Sequence, residues 1–235
     1  MSKSIMITGA SKGIGLATAE RFLRTDNDVT DVILLARESD EFTQAEAEMR
    51  ADNPYGKTIT SYTIDLYDRD AIAGLMPQVM ATHGKVDMLV NNAGFTAPAP
   101  VHEIDFADFE RTIGVNLYAP FLVVQQLLHL GNQFDYIVNV ASTAGITGRS
   151  GWLTYSSSKA GLIAMSQVLR EELAIYGTRV VTISPGRCAT ALRRKLAPDE
   201  DPSTIMQPED VADAIEMLTS PVGRFVDSEN LVVRQ

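Results

Sequence analysis

Short apolar runs punctuate the chain at Ile5–Ile7, Val32–Ala36, Thr58–Ile64, Met88–Val90, Tyr136–Val140, Val180–Ile183 and Leu231–Val233. Between them lie longer amphipathic stretches: Gly15–Arg24, Phe42–Arg50, Ala71–Thr82, Phe106–Leu130, Thr154–Tyr176 and Pro208–Leu218. Strand-length runs alternating with helical patterns predict βαβ units and a parallel sheet. Runs that stay apolar suit strands covered on both faces. The pattern therefore predicts a doubly wound α/β fold with seven strands and at least six helices. Two segments read as loops, Phe95–Pro100 and Pro198–Pro208, both rich in proline. No repeat or low-complexity linker divides the chain, so residues 1–235 are read as a single domain, with a lid segment at about 187–208.

Composition narrows this picture. Of 235 residues, 45% are hydrophobic and 21% charged, the balance of a soluble globular protein. Twenty basic residues against thirty acidic ones give a net charge of −10, which disfavours general binding to nucleic acid or to an anionic membrane. No apolar run approaches the ~20 residues of a membrane span. Cys188 is the one cysteine, so an intramolecular disulfide framework is excluded. The apolar stretch at Ile5–Ile7 is too short for a signal-peptide core, and a cytoplasmic location is expected.

Candidate chemistry begins at the first strand–helix junction, Thr8-Gly9-Ala10-Ser11-Lys12-Gly13-Ile14-Gly15. Glycines here let backbone approach a pyrophosphate, and the following helix presents its N-terminus to that charge. The spacing differs from G-x-G-x-x-G, and it is not a Walker A loop because Lys12 precedes Gly13. It resembles the Thr-Gly-x-x-x-Gly-x-Gly signature of the short-chain dehydrogenase/reductase family, which implies a Rossmann-like fold and a nicotinamide cofactor. Further matches run along nearly the whole chain. Asp65, followed by Leu66, closes the third strand where the family places an acidic residue toward the adenine. Asn91-Asn92-Ala93-Gly94 matches the family's Asn-Asn-Ala-Gly motif, and Pro185, Gly186 and Thr190 its Pro-Gly-x-x-x-Thr segment. Cys188 stands where an aliphatic residue is usual and reads as a small apolar substitute.

Ser142, Tyr155 and Lys159 form the strongest constellation. Tyr155 and Lys159 are four apart and share one helix face. A phenol with a pKa near 10 is a poor base at neutral pH, and a cation one turn away is expected to lower that value. Ser142 can donate a hydrogen bond to a substrate carbonyl. By resemblance, Asn116 completes a proton-relay tetrad by holding a water, and Lys159 also bonds the nicotinamide ribose. The implied reaction is reversible hydride transfer between a carbonyl and a secondary alcohol, with no metal.

The second strand ends in Ala36-Arg37, where preference for NAD(H) would place a carboxylate for the ribose hydroxyls. Arg37 and Lys12 instead suit a 2′-phosphate, so NADP(H) is favoured and NAD(H) stays possible. Trp152, Leu153 and Ile146 are candidate pocket residues. Arg149 and the run Arg193-Arg194-Lys195 could meet an anionic group, although a solvated helix end is the plainer reading of the run. The resemblance implies a small carbonyl or alcohol substrate and a homodimer or homotetramer joined through Phe106–Leu130 and Thr154–Tyr176. The competing reading is an inactive NADP(H)-binding regulatory protein on the same fold. A sugar-nucleotide epimerase is a weaker third reading, since little chain is left for a larger substrate region.

Overall fold

The computed structural model describes residues 2–226 and 230–235, with Arg224 described by its backbone alone. Its strands are β1 (Lys3–Thr8), β2 (Val29–Ala36), β3 (Thr58–Thr63), β4 (Met88–Asn91), β5 (Tyr136–Val140), β6 (Arg179–Pro185) and β7 (Leu231–Val233). All the pairings are parallel, and the seven-stranded sheet runs in the order β3-β2-β1-β4-β5-β6-β7. The helices are α1 (Gly13–Arg24), α2 (Asp40–Ala51), α3 (Arg69–His83), α4 (Phe106–Ile113), α5 (Ala119–His129), α6 (Thr143–Ile146), α7 (Leu153–Leu173), α8 (Ala191–Leu196) and α9 (Pro208–Thr219). All seven expected strands and all six expected helical stretches are present, and the architecture is the doubly wound one.

Side-chain alternation builds two cores from one sheet. Ile5 and Ile7 of β1, with Val32 and Leu34 of β2, pack on the face covered by α1, α2 and α9. Met6, Ile33 and Leu35 point the other way, onto the layer that holds α3 and α5. This double burial explains why the central strands read as unbroken apolar runs. No helix among the described residues is long and apolar enough to cross a membrane.

Two details depart from the pattern. The stretch expected as one helix over Phe106–Leu130 is interrupted by a π-turn at Gly114–Tyr118. Pro120 has no N–H, so the carbonyl of Asn116 lacks its ordinary helical donor four residues on, and the wider turn accommodates that loss. The segment after β6 is more structured than a loop. It forms α8 and a 3-10 turn at Pro202–Thr204, and its ends are joined by a parallel bridge between Cys188 and Met206. Cys188 is buried beside Met206 and Val211, as its reading as an apolar substitute requires.

One hydrogen-bonded polar chain crosses the middle of the sheet. Asn91 Nδ2 donates to Asn139 Oδ1 at 2.8 Å, and Asn139 Nδ2 donates to Ser166 Oγ at 2.8 Å. Ser166 in turn donates to the carbonyl of Leu162 at 2.6 Å. The chain ties β4 to β5 and both to α7. Asn139→Ala leaves the buried Asn91 amide without its partner at about 1–3 kcal/mol, while Ser166 keeps its bond to the Leu162 carbonyl. Urea denaturation should therefore show a loss of roughly 1–3 kcal/mol against the wild type.

Candidate active site

The chain runs outward from β1 through β2 to β3 and returns to β4 beside β1. The crevice where that direction reverses is the usual ligand site of such sheets. Here two turns are bound to each other. Thr8 Oγ1 accepts the N–H groups of Asn92 and Ala93, both at 3.0 Å. Asn92 Nδ2 donates to the carbonyls of Thr8 at 2.9 Å and Gly9 at 3.3 Å. Gly9 has φ +69°, and a Cβ there would lie 2.8 Å from Ala93 Cα. A Cβ on Gly15 would lie 2.3 Å from the Gly9 carbonyl oxygen. Both glycines are thus required by close backbone approach. Lys12 begins α1 without a side-chain cap, so the helix's first amide N–H groups are left to a ligand.

A cavity of about 840 Å³ extends from this turn past the ends of the strands. Gly9, Ser11, Lys12, Gly13 and Ile14 line its floor, with Ala93 and Gly94 opposite. Arg37, Asp65 and Leu66 line the end beyond β2 and β3. Ser142, Tyr155 and Lys159 line the end near β5, and Pro185, Gly186 and Thr190 the side below α8. Trp152 and Arg149 also face the cavity, while Ile146 and Leu153 do not and are exposed instead.

Three expected site residues are placed elsewhere. Asn91 is inside the sheet with its amide engaged by Asn139, and Asn92 takes the place on the cavity wall. Gly15 lies beneath the glycine turn rather than on the cavity surface. Asn116 is fully buried. Its Oδ1 accepts from the Phe95 N–H at 2.7 Å, and its Nδ2 donates to the Phe95 carbonyl and to Ser158 Oγ, both at 2.9 Å. With those three bonds, the side chain fixes the strand-end loop to the helix that carries Tyr155 and Lys159.

The electrostatics depart from a second expectation, because the Tyr155 pKa stands above its ordinary value rather than below it. Burial raises the phenol to about 12, against the smaller lowering effects of a hydrogen bond with Ser142 and the charge of Arg193. The Lys159 ammonium donates to the Val140 carbonyl at 2.7 Å and sits 5.9 Å from the centre of the Tyr155 ring. Its own pKa falls to about 8 through burial. Both groups have left water, and each is pushed toward its neutral form.

At the opposite end, Asp65 is held below the usual carboxylate range. Burial opposes this, but the Tyr67 N–H, a 2.8 Å ion pair with Arg111 and the charge of Arg37 outweigh it. Lys12 is paired with Glu41 from the first turn of α2.

Four further residues line the cavity, Asn92, Glu41, Arg111 and Arg193, and their facing is not evident from the sequence. Asn92 was part of the motif already, and nothing in the spacing says which asparagine faces out. Glu41 and Arg111 are ordinary surface charges of amphipathic helices until the fold brings them to the cavity. Arg193 is the lining member of a basic run in an acidic chain, which was the available signal. It is held by Glu200 at 2.6 and 2.9 Å.

Residues 3–201 match the family profile described as short chain dehydrogenase. The chain is 32% identical over 238 residues to a 3-oxoacyl-[acyl-carrier-protein] reductase of Thermotoga maritima, covering 97% of this chain and 94% of that one. A protein described as a short chain dehydrogenase from Shigella flexneri, complexed with NADP, superimposes with a TM-score of 0.88 at 27% identity, over 98% of this chain and 95% of that one. A blue fluorescent protein from a metagenomic library, in complex with NADPH, gives 0.85 at 27% identity, over 98% and 96%. The profile match and the near-complete coverage agree with the glycine turn, the crossing order of the sheet and the Ser142–Tyr155–Lys159 cluster: the chain belongs to the short chain dehydrogenase family.

Proposed function

We propose that this protein is an NADP(H)-dependent oxidoreductase that interconverts a carbonyl and a secondary alcohol, with residues 1–235 acting as one unit. The observation that carries the reading is the meeting of Ser142, Tyr155 and Lys159 at one end of a cavity whose other end is a glycine turn. The residues fit a dinucleotide. Backbone closes on the floor without side chains, the first amides of α1 are uncapped, and Arg37 and Lys12 supply cations suited to a 2′-phosphate. The NADP and NADPH complexes of the structural relatives support the same cofactor. When bound, the nicotinamide supplies or accepts the hydride.

The chain's own groups divide the remaining work. Tyr155 keeps its proton at neutral pH, so it is set to give that proton to the alkoxide oxygen formed on carbonyl reduction. Ser142 orients the carbonyl by hydrogen bonding. Arg193 and Ser142 both favour the phenolate left behind, which eases release of the proton. Lys159 uses one N–H on Val140 and has two left for ribose hydroxyls. Asn116 acts through its backbone: its carbonyl, denied a donor at Pro120, is the acceptor for a relay water, while its side chain positions α7. An inactive regulatory role gains no support from a site in which the proton donor and its partners lie together. Assembly into a homo-oligomer through α4, α5 and α7 is supported by the exposed apolar side chains Phe106, Phe121 and Val168, with Ile175 exposed in the turn just after α7.

Three measurements test this reading. Tyr155→Phe should cut NADPH oxidation across a carbonyl panel by about 10²–10⁴-fold while NADPH binding is retained. Full activity in that variant would end the proposed role. Arg37→Asp should lower kcat/KM for NADPH by about tenfold more than for NADH, and Glu41→Gln, by freeing Lys12, should tighten NADPH about twofold to fivefold. Equal effects on the two cofactors would remove the 2′-phosphate assignment. The third test concerns Lys159, whose folded pKa of about 8 lies below the ordinary 10.5. Between those values the unfolded chain holds a proton that the folded one lacks, so stability rises with pH. Tyr155 acts in the opposite sense only above its ordinary value of 10. Melting curves from pH 8 to 10 should therefore show a gain in wild type that is smaller in Lys159→Met.

A further inference from the structure

Charge is unevenly distributed around the cavity. Among the described lining residues, the acidic side chains Glu38, Glu41 and Asp65 all lie at the end beyond β2 and β3. On the β5–β7 side the charged lining side chains, apart from Lys159, are the arginines Arg149, Arg187, Arg193 and Arg234. This is a basic wall in a protein of net charge −10. Two of these arginines meet at one ring: Arg149 lies 5.6 Å and Arg193 5.4 Å from the centre of the Trp152 indole. Cation–π attraction can hold each of them there, yet two like charges at one ring repel each other unless an anion joins them.

Only one of the pair has such an anion. Glu200 occupies the Arg193 fork with both oxygens, at 2.6 Å to Nε and 2.9 Å to Nη2. That contact displays a carboxylate in the planar, two-point fit that guanidinium favours. Arg149 has the indole contact and no carboxylate partner among the described residues. The pair also stands beside the reacting end of the cavity, because Arg193's charge is felt at the Tyr155 hydroxyl.

We propose that Arg149 and Arg193, gathered about Trp152, bind a carboxylate carried by the substrate, so that the enzyme acts on oxo acids and the corresponding hydroxy acids. The inference rests on the oxidoreductase reading above and adds the substrate class to it. Arg149 is the principal partner, Arg193 adds charge and Glu200 tempers it. A carboxylate is favoured over a phosphate because a carboxylate already fits the Arg193 fork.

Trp152 is the chain's one tryptophan, so its fluorescence reports binding at this place whether or not hydride is transferred. The full-length protein with NADP⁺ is titrated with 4-oxopentanoate, with its methyl ester and with inorganic phosphate. The oxo acid is expected to give a saturable signal at about tenfold lower concentration than the ester, one bidentate charge-assisted contact being worth about that factor. Arg149→Gln should bring the acid-to-ester ratio close to one, and Glu200→Gln should raise it. Equal binding of acid and ester by wild type overturns the proposal, as does a ratio that survives Arg149→Gln, a ratio that falls in Glu200→Gln, or phosphate binding tighter than the oxo acid. Discrimination by fluorescence together with no NADPH oxidation on any carbonyl would leave the carboxylate site standing and remove the catalytic reading, and with it the oxo-acid reaction.

Discussion

The hydrogen bonds between the ends of β1 and β4 are the constraint on which the site depends. Thr8 gathers the amides of Asn92 and Ala93, and Asn92 returns two bonds to the carbonyls of Thr8 and Gly9. These strands are neighbours in the sheet, but their chains leave in opposite directions. Without the cross-links, the divergence would open an unsupported gap. With them, it becomes the floor of a cavity, and every side chain argued to touch cofactor or substrate is placed relative to that floor. The glycines follow from the same constraint, since a Cβ at Gly9 or Gly15 would strike the backbone that the bonds bring close.

Burial then decides the chemistry. Tyr155 and Lys159 are both shut away from water, and loss of hydration is the largest influence on each. The phenol keeps its proton and the amine is near losing one at ordinary pH. A site so arranged holds a protonated phenol at neutral pH. It differs from one that holds a ready phenolate, and the difference comes from solvation rather than from which residues are present.

That distinction also marks where sequence reading stopped. The strands were legible because two-sided burial demands continuous apolar runs, and the glycine turn because close approach demands missing side chains. The Tyr155–Lys159 spacing was legible because a helix puts residues four apart on one face. The sign of the Tyr155 shift was not legible, because it depends on how much water the folded chain excludes. Nor was the facing of Asn91 and Asn92, since adjacent strand-end residues point to opposite sides and either could be inward. The π-turn was written at Pro120, but reading it requires knowing that the helix continues through that point. Arg193 was visible only as part of a basic run, because its pairing with Glu200 depends on the fold of the segment between them.

The bridge between Cys188 and Met206 carries a consequence for how this protein can change over time. It draws the two ends of the α8 segment together at the sheet, so the intervening residues form a closed excursion whose base is fixed. The entropy of closing such an excursion grows only slowly with its length. Insertions and deletions between the two anchor points can therefore be absorbed without disturbing β6 or α9. Variation can accumulate in that excursion away from Ser142, Tyr155 and Lys159, which lie on other elements, while Thr190 and Arg193 within it stay held to the cavity.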